Sequence, residues 1–422
     1  MSTAMPITTN TAPKPPRRMG QRPVRLALVP ALAILAGWLI VSTAQADAAR
    51  LSEQPDAVPA AWRDRLAGLR AEQLFDQGQC QQADDAARRA VSERGGDVVA
   101  LRILALDAER RGARQAAARL MLTGARWSWR DTPTQLWLFR NLLASQRFDE
   151  AVVHGEALVA RGQLVEEVFD DFAGLTSQPR SRAALVGALA RRPAWSHDFY
   201  AWLGQAPPRY QPGLVQAMRD LQRVAHLPDR TQLAPLLSAM IGHGNAADAR
   251  ALWKDLVWKR GGALPNVTDG GFQDTPTRAV QAGGAGIFEW QFDPGAEMYV
   301  VPDPQGRSNA VLQIANAGNG QGALVHQILA LPPGRWTLSF AVRSSLPGIS
   351  SRLNIGLRCG ALGSWLGGPL VLDHAERWHD ARLPVVIRAD CKSQDLVVEP
   401  IGTQPGEAID LWLDDFAMQP EG

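Results

Sequence analysis

Residues 74–90 read LFDQGQCQQADDAARRA, residues 108–124 read AERRGARQAAARLMLTG, and residues 142–158 read LLASQRFDEAVVHGEAL. Each segment begins 34 residues after the one before it, and the tenth letter is alanine in all three. A fixed period of this length, in sequence rich in helix-forming residues, predicts pairs of helices that stack side by side. This stretch therefore predicts a helical solenoid in the first half of the chain.

Small residues recur at two positions of the repeat. We interpret the fifth position as the place where the first helix of a pair approaches the second. The tenth position is then the helix crossing, where no larger side chain fits. Gly244 and Ala249 repeat this spacing once more. The other residues are Gly78, Gly112 and Gln146 at the fifth position and Ala83, Ala117 and Ala151 at the tenth.

The period and its small residues resemble the tetratricopeptide repeat over residues 61–162. Two features depart from that family. Gln146 replaces the usual small residue, and the proline that normally ends the second helix is missing after Ala90. The resemblance implies a curved array of helices whose concave groove binds a protein partner.

The repeat becomes less regular after residue 162, but the helical pattern continues. Residues 185–191, 213–224 and 233–259 still have the spacing of amphipathic helices. We therefore expect one α-solenoid over residues 50–260, with a regular first half and a degenerate second half.

Three tryptophans lie close together near a predicted helix boundary, namely Trp127, Trp129 and Trp137. Large aromatic side chains often anchor a partner at an interface, which makes these residues candidates for protein binding. The alternative is that they pack between adjacent repeats.

The overall charge is nearly balanced. The chain of 422 residues has 44 basic and 42 acidic residues. This balance excludes a strong overall positive potential that would attract nucleic acid, so we expect no nucleic-acid partner.

The length of the chain exceeds what one hydrophobic core usually supports and predicts two or three domains.

The first 46 residues have the features of a membrane-targeting segment. No acidic residue precedes Asp47, basic residues are frequent in residues 1–25, and residues 26–41 are apolar, Gly or Pro. We expect a cytoplasmic tail over residues 1–25 and an inner-membrane anchor over residues 26–46. The alternative is a signal peptide cleaved after Ala46. Both alternatives place the remainder of the chain in the periplasm, tethered or free.

The second half changes in composition at Gly261-Gly262, where helix formers give way to Gly, Pro and short alternating runs. Nine short strands over residues 264–420 predict a β-sandwich or jelly roll. The fold class is thus multidomain α plus β, with an anchor helix, a solenoid and a sandwich. The strand candidates are residues 286–292, 310–315, 323–329, 334–343, 351–359, 365–372, 378–386, 394–400 and 408–418.

Four motifs in this half resemble the galactose-binding-like sandwiches used as carbohydrate-binding modules. They are DGGFQ at 269–273, FEW at 288–290, LPPGRWTL at 331–338 and IDLWLDDFAM at 409–418. Their order matches the family over nearly all of residues 264–420. The resemblance implies a surface on which aromatic rings stack against sugars and polar groups bond hydroxyls.

Candidate glycan-binding residues follow from that resemblance. We expect Trp290 and Trp365, which lie near glycine-rich turns, to be exposed, with Glu289 and Asn319 as polar partners. Trp336 and Trp378 lie in register with apolar neighbours and are expected in the interior. The other polar candidates are Asn316, Gln321 and Asn354.

The resemblance also implies a structural calcium between the first and last strands, with Gln273 and Asp415 at the matching positions. The alternative is that both are hydrogen-bonded turn residues. Apart from this possible calcium ion, no cofactor is expected.

Cys359 and Cys391 both lie in predicted strands, where an oxidising compartment would allow a disulfide. Two buried thiols are the alternative.

The sequence contains no nucleophile elbow, P-loop, dinucleotide-binding glycine motif or zinc-protease helix. Its layout resembles membrane-anchored tetratricopeptide-repeat proteins with a C-terminal sandwich that accompany exopolysaccharide synthesis in Gram-negative bacteria. We therefore expect a non-catalytic scaffold that holds a protein partner and a polysaccharide. The alternatives are a protein-interaction module without sugar binding and a polysaccharide-modifying enzyme.

Overall fold

The structure is a computed structural model that describes residues 66–258, 263–281, 286–316, 318, 322–344, 353–361, 363–370, 377–401 and 403–421. The predicted tail (1–25), anchor (26–46) and boundary at Gly261-Gly262, together with Asn319 and Gln321, lie outside the described residues. Within the described ranges, no helix combines the length and the hydropathy needed to cross a bilayer.

Helices fill most of residues 66–258. Each helix begins within a few residues of the previous one, and next-but-one helices such as Ala67–Asp76 and Val98–Arg110 also pack together. The helices are α1 Ala67–Asp76, α2 Cys80–Glu93, α3 Val98–Arg110, α4 Arg114–Trp127, α5 Thr132–Ala144, α6 Phe148–Val159, α7 Val165–Leu175, α8 Pro179–Ala190, α9 Ser196–Trp202, α10 Gln211–Ala225, α11 Arg230–Gly242 and α12 Ala246–Leu256.

The chain divides into two compact units within α5, the first ending at Thr134 and the second beginning at Gln135. The predicted helical segments 185–191 and 213–224 lie in α8 and α10. The segment 233–259 is instead interrupted by a turn, which separates α11 from α12.

The fifth position of the repeat is a helix-ending turn residue. Gly78, Gly112 and Gly244 have φ of 76°, 79° and 81°, and Gln146 has φ of 57°. The amide after Gly78 donates to the carbonyl of Leu74 at 2.9 Å, as in a Schellman motif. A Cβ atom at Gly78 or Gly112 would meet no atom within 4 Å. Our interpretation of close helix approach is therefore wrong, because backbone conformation rather than space selects glycine here.

The tenth position behaves as the pattern predicts. The alanines at this position are all fully buried between helices, and they are Ala83, Ala117, Ala151 and Ala249. Because a larger side chain would force neighbouring helices apart, these alanines set the distance between paired helices.

In the described part of the second half, the chain forms a sandwich of two five-stranded antiparallel sheets. A short helix, α13 (Thr277–Gln281), precedes its strands. The coarse α plus β organisation expected from sequence is confirmed. The strands are β1 Gln291–Phe292, β2 Met298–Val301, β3 Val311–Asn316, β4 Val325–Leu329, β5 Gly334–Ser344, β6 Leu353–Cys359, β7 Trp365–Leu370, β8 His379–Ile387, β9 Gln394–Pro400 and β10 Ala408–Pro420.

The first sheet has the strand order β1-β4-β9-β6-β7, and the second has the order β2-β3-β10-β5-β8. One continuous apolar cluster fills the space between the two sheets and includes Leu312, Leu338 and Ile355.

Cys359, at the end of β6, forms a disulfide with Cys391, with a Cα–Cα distance of 5.5 Å. Of the two alternatives for this cysteine pair, the structure shows the bridge.

Candidate functional site

One face of the first sheet is polar. The β6–β9 register places Asn354 opposite Glu399 and Arg358 opposite Asp395. Directly opposite residues of an antiparallel pair point to the same side, and residues two apart along a strand share that side. These four side chains therefore share one face, which we call the polar face. The alternate residues of β6, Leu353, Ile355 and Leu357, belong to the apolar core.

The polar face is held together by charged and hydrogen-bonded pairs. Arg358 forms an ion pair with Glu399, and Asn354 Nδ2 donates to Glu399 Oε1 at 3.2 Å. On the next strand, His326 Nδ1 lies 3.0 Å from Asp395 Oδ1. Because these groups fix one another, the polar face presents its donors and acceptors in a preset arrangement.

Trp365 adds an aromatic surface to this face. The register places it opposite Arg358, whose guanidinium lies 4.5 Å from the centre of the indole ring. A Cβ atom at Gly356 would lie 3.2 Å from Trp365 Cζ3, which shows that the half-buried indole ring lies against the strand at a glycine. A side chain at position 356 would displace the ring, so Gly356 permits the ring to lie against the sheet.

This combination is suited to binding a sugar. An indole face stacks against the C–H face of a pyranose, while amide, guanidinium and carboxylate groups bond its hydroxyls. The two acids of the face, Asp395 and Glu399, are four residues apart on one strand, a distance of roughly 13 Å. Glycosidase carboxyl groups are separated by about 5 to 9.5 Å. This pair is therefore more widely spaced than the carboxyl groups of a glycosidase.

A second concave region lies where α11 and α12 meet the sandwich. It is a cleft of ≈ 590 Å³, which we call the junction cleft, and its walls include Arg230, Trp253, Trp258, Thr268, Asp274 and Glu289. Arg230 Nη1 donates to Glu289 Oε2 at 3.2 Å, and the Trp253 and Phe288 rings lie 6.0 Å apart. These contacts join the helical part of the second unit directly to the sandwich.

The predicted glycan-binding residues are divided between these two regions. Glu289 and Trp290 line the junction cleft, whereas Trp365 lies on the polar face. Trp290 precedes β1 and Trp365 begins β7, at opposite edges of the first sheet. Four strand spacings separate these edges, or roughly 19 Å. One sugar ring cannot contact both residues.

The expected exposure of Trp290 is wrong. Its side chain is only 1% exposed, and its ring stacks on Phe272 at 5.2 Å and meets Phe416 at 5.1 Å. Its indole nitrogen donates to the carbonyl of Asp269 at 2.9 Å. The glycine-rich turn nearby suggested a surface position, but apolar partners distant in sequence cover the ring.

The two tryptophans expected in the interior differ from each other. Trp336 is buried in the sandwich core, as predicted. Trp378 is half-buried, and its Nε1 donates to Asp303 Oδ2 at 2.9 Å. It precedes β8, and its ring lies 5.3 Å from the Arg307 guanidinium. It therefore packs at a polar corner instead of the apolar core.

The residues at the predicted calcium position do not fit the ion in this arrangement. Gln273 presents its amide nitrogen, a hydrogen-bond donor, to the carbonyl of Gly271 at 3.0 Å and to Ser308 Oγ at 3.1 Å. Asp415 pairs with Arg307 at 2.8 Å. The guanidinium thus already supplies positive charge beside this carboxylate, and a nearby calcium would be repelled by it.

Asp414 is the buried acid of this corner. It is 1% exposed, and burial raises the pKa of its carboxyl group to about 6, against the attraction of Arg307. The Arg307 Nε atom lies 3.9 Å from Asp414 Oδ2. The neutral acid is therefore favoured in the folded protein at mildly acidic pH.

The predicted protein-binding tryptophans are placed differently. Trp127 and Trp129 belong to the first unit and are 65% and 48% exposed. They are the exposed large aromatic side chains among the described residues. Trp137 belongs to the second unit and is half-buried. The Trp127 ring also lies against the turn before α3, where a Cβ atom added at Gly96 would be 3.0 Å from it, so the partner-anchor and the packing interpretations both stay predictions.

An acidic groove lies on the helical part of the second unit. It has a volume of ≈ 590 Å³, and its walls include four acidic residues, Trp202 and one basic residue, namely Glu166, Glu167, Asp170, Asp171, Trp202 and Arg140. Trp202 Nε1 donates to Glu166 Oε2 at 3.0 Å. Burial raises the pKa of Asp171. A groove with this charge favours a basic partner segment.

Sequence predicted Trp365 and Asn354 of the polar face as candidates, but not its other members. Arg358, Asp395, Glu399 and His326 belong to no recognisable motif, and each stands in a short alternating strand. Alternation predicts which face of its own strand each side chain occupies. Only the register between the strands shows that these side chains lie next to one another. That register depends on pairings between residues up to about 70 positions apart along the chain, for which a single sequence gives no signal.

No family model matches the chain, and no curated protein matches it. Parts of the chain are similar to solved structures. A CBM4 protein is 18% identical, with a TM-score of 0.28 over 37% of this chain and 99% of its own. The CBM22-1 xylan-binding domain of Paenibacillus barcinonensis Xyn10C is 14% identical, with a TM-score of 0.27 over 38% of this chain and 97% of its own. Pseudomonas aeruginosa pilF is 14% identical, with a TM-score of 0.24 over 47% of this chain and 93% of its own. Each likeness covers less than half of this chain.

Proposed function

We propose that the chain is a non-catalytic scaffold of the bacterial envelope, which binds a glycan through its sandwich and a protein partner through its helical repeats. Residues 26–46 hold it on the outer side of the inner membrane, where it assists assembly or export of a surface polysaccharide. Two binding surfaces on one tethered chain raise the local concentration of one ligand near the other.

The observation that carries the glycan proposal is the polar face. The Trp365 ring centre lies 4.5 Å from the Arg358 guanidinium, and Asn354 and Glu399 follow on the same face. An aromatic plane next to paired polar groups offers both the stacking and the hydrogen bonds that a sugar ring requires. Because these groups are already bonded to one another, little ordering is needed when the ligand binds.

The non-catalytic assignment is supported by the same geometry. Glu399 is paired with Arg358, and Asp395 is bonded to His326. Neither acid is arranged as a general acid opposite a second carboxylate at hydrolytic distance. Incubating the polysaccharide with the protein should therefore leave its chain length unchanged. Shorter chains, measured by size-exclusion chromatography, would instead favour the polysaccharide-modifying enzyme.

The protein partner is proposed from two helical features. Trp127 and Trp129 expose aromatic surface, and the groove around Glu166 and Asp170 is acidic. Exposed tryptophans supply apolar contact area, and the acidic groove attracts a basic segment. A partner captured from membranes should dissociate more readily at high salt, because the electrostatic part of the attraction is screened.

The membrane location is proposed from sequence alone. Basic residues precede the apolar run at residues 26–41, and acidic residues are missing before Asp47. This arrangement favours a cytoplasmic tail and a periplasmic body. Protease added to spheroplasts should degrade the body of the chain, and protection of the whole chain would contradict the topology.

The glycan proposal is tested with the full-length protein in mild detergent on an array of neutral and acidic glycans. Wild type should bind at least one glycan, and Trp365→Ala should lose about fivefold or more in affinity, since an aromatic stacking contact is worth roughly 1 kcal/mol or more. Trp127→Ala is the matched control, because Trp127 is exposed and lies in the first unit. Binding to no glycan would favour the protein-interaction module instead.

A further inference from the structure

The junction cleft carries a net negative charge. Its walls contain three carboxylates, Asp269, Asp274 and Glu289, and one guanidinium, Arg230. The difference among these residues is two formal negative charges, since no lysine or histidine is found among the described residues of the walls. A cation is attracted to such a cleft and an anion is repelled, more strongly than in open solvent because the cleft is partly shielded from water.

Two polar groups of the cleft have no hydrogen-bond partner on the described protein. They are the indole N–H of Trp253 and the hydroxyl of Thr268, and both residues line the cleft. Trp253 is 2% exposed and Thr268 is 4% exposed. A buried donor without a partner is costly, and most native proteins satisfy such groups. A ligand with oxygen acceptors would satisfy both groups.

The aromatic content of the cleft restricts the ligand further. Trp253 and Trp258 lie 5.9 Å apart, with a tilt of 40° between their rings. Indole faces attract cations and also stack against the C–H faces of sugar rings. The volume of ≈ 590 Å³ lies within the range of roughly 300–1,000 Å³ that small-ligand sites have.

We infer that the junction cleft is a second ligand site, which binds an amino sugar with a free, protonated amine. Its hydroxyl oxygens accept from Trp253 Nε1 and bond Thr268 Oγ1, and its ammonium group faces the carboxylates of Asp274 and Glu289. The site is separate from the polar face, which lies toward the opposite edge of the first sheet.

Binding there would also hold the two parts of the second unit together. Trp253 belongs to α12, whereas Thr268 and Asp274 precede the strands of the sandwich. A ligand that contacts both sides stabilises the arrangement in which they meet, because it binds the folded junction and not the separated parts.

The test uses the full-length protein and a matched pair of ligands, the glucosamine disaccharide and its fully N-acetylated form. Affinities are measured by calorimetry at about pH 6, where an amine with an ordinary pKa of ~8 is protonated. The free-amine ligand should bind at least about tenfold more tightly, since one charge-assisted contact corresponds to roughly that factor. Equal affinity for both ligands, or binding of neither, would overturn the inference.

Variants locate the site. Trp253→Phe keeps a ring but removes the donor, and Asp274→Asn removes one charge, so each should weaken the free-amine ligand by about tenfold. Trp195→Phe is the matched control, because Trp195 also has a buried indole N–H without a partner on the described protein but lies outside the cleft. Unchanged affinity in both cleft variants would reject the site.

A further variant separates this inference from the glycan proposal. Trp365→Ala should leave the affinity for the free-amine disaccharide unchanged, because Trp365 is not part of the junction cleft. Loss of binding in Trp365→Ala alone would assign the ligand to the polar face and contradict a second site. Circular dichroism and thermal melting confirm that each variant is folded.

Discussion

Gln146 holds a backbone conformation that glycine holds at the same position of neighbouring repeats. Its φ of 57° is left-handed, and the following amide donates to the carbonyl of Leu142 at 2.9 Å. A side chain in this conformation costs about 1 kcal/mol, which glycine avoids. The helix-ending turn is therefore retained despite an unfavourable residue.

Gln146→Gly should raise the free energy of unfolding by about 0.5–1 kcal/mol, because relief of backbone strain exceeds the extra entropy of glycine in the unfolded chain. Urea denaturation followed by circular dichroism measures the change. Gly112→Gln is the reverse control and should destabilise by about 1 kcal/mol. A destabilised Gln146→Gly variant would show that the Gln146 side chain contributes contacts that matter more than its backbone.

Asp414 predicts a particular pH dependence of stability. Burial raises its pKa to about 6, above the ordinary value of 3.8, so the folded state binds the proton more tightly than the unfolded state. Stability from this group is therefore greatest at low pH and is lost as the pH rises through about 6. Its contribution should fall by roughly 2 kcal/mol between about pH 4.5 and pH 7.

The comparison of wild type with Asp414→Asn isolates this effect, because the other carboxyl groups titrate in both proteins. The stability difference between wild type and variant should change with pH in the stated direction, as measured by urea denaturation across the range. A constant difference would show that Asp414 keeps the same pKa in the folded and unfolded states. The variant retains the shape of the side chain, which limits packing effects.

The burial of single tryptophans was predicted correctly in one case and wrongly in another, and the difference has a physical reason. Local sequence assigned Trp336 to the core correctly but placed Trp290 at the surface. Trp290 is covered by Phe272 and Phe416, and the second of these lies more than a hundred residues away. Burial depends on such distant partners, whereas the glycine-rich neighbourhood of Trp290 reports only local flexibility.

At the scale of elements, β10 depends on a close approach to the segment that precedes the strands. The amide of Phe416 donates to the carbonyl of Gly270 at 2.9 Å. The strand is irregular between Asp414 and Ala417, where its register with β5 shifts. A Cβ atom at Gly270 would lie 1.9 Å from the carbonyl oxygen of Phe416. Only glycine permits this contact between the two backbones.

Gly270→Ala should therefore destabilise the sandwich by about 3 kcal/mol or more, because a backbone clash cannot be relieved by a side-chain rotation. Gly271→Ala is the adjacent control, where the nearest atom to a Cβ is 3.5 Å away. It should cost less than about 1 kcal/mol. Thermal melting of both variants measures the difference, and equal melting temperatures would contradict the close approach.

Elements were predicted well where their pattern is local. All nine strand candidates overlap observed strands, since alternation and turn residues are visible in sequence. The missed strand, β2, spans only Met298–Val301 at the edge of its sheet, too short for alternation to show. In the repeats, the predicted period was correct. The predicted reason for glycine at the fifth position was wrong, because sequence does not distinguish close helix packing from a left-handed turn.

At the scale of the whole molecule, sequence indicates a helical part followed by a β part but not which surfaces face a ligand. The polar face requires four strands to pair in register, and the junction cleft requires α12 to meet the sandwich. Both regions form from residues distant in sequence. Trp365 and Asn354 were predicted from local sequence, whereas Arg358, Asp395 and Glu399 were not.

The proposed scaffold makes the sandwich a recognition surface whose central contact is one indole ring. The most direct test is native electrophoresis of the full-length protein. One gel contains the polysaccharide that the glycan array identifies as a ligand, and the other gel contains none. Wild type should be retarded by the polysaccharide, and Trp365→Ala should migrate as it does without polysaccharide. Equal retardation of both proteins, or retardation of neither, would contradict glycan binding at the polar face.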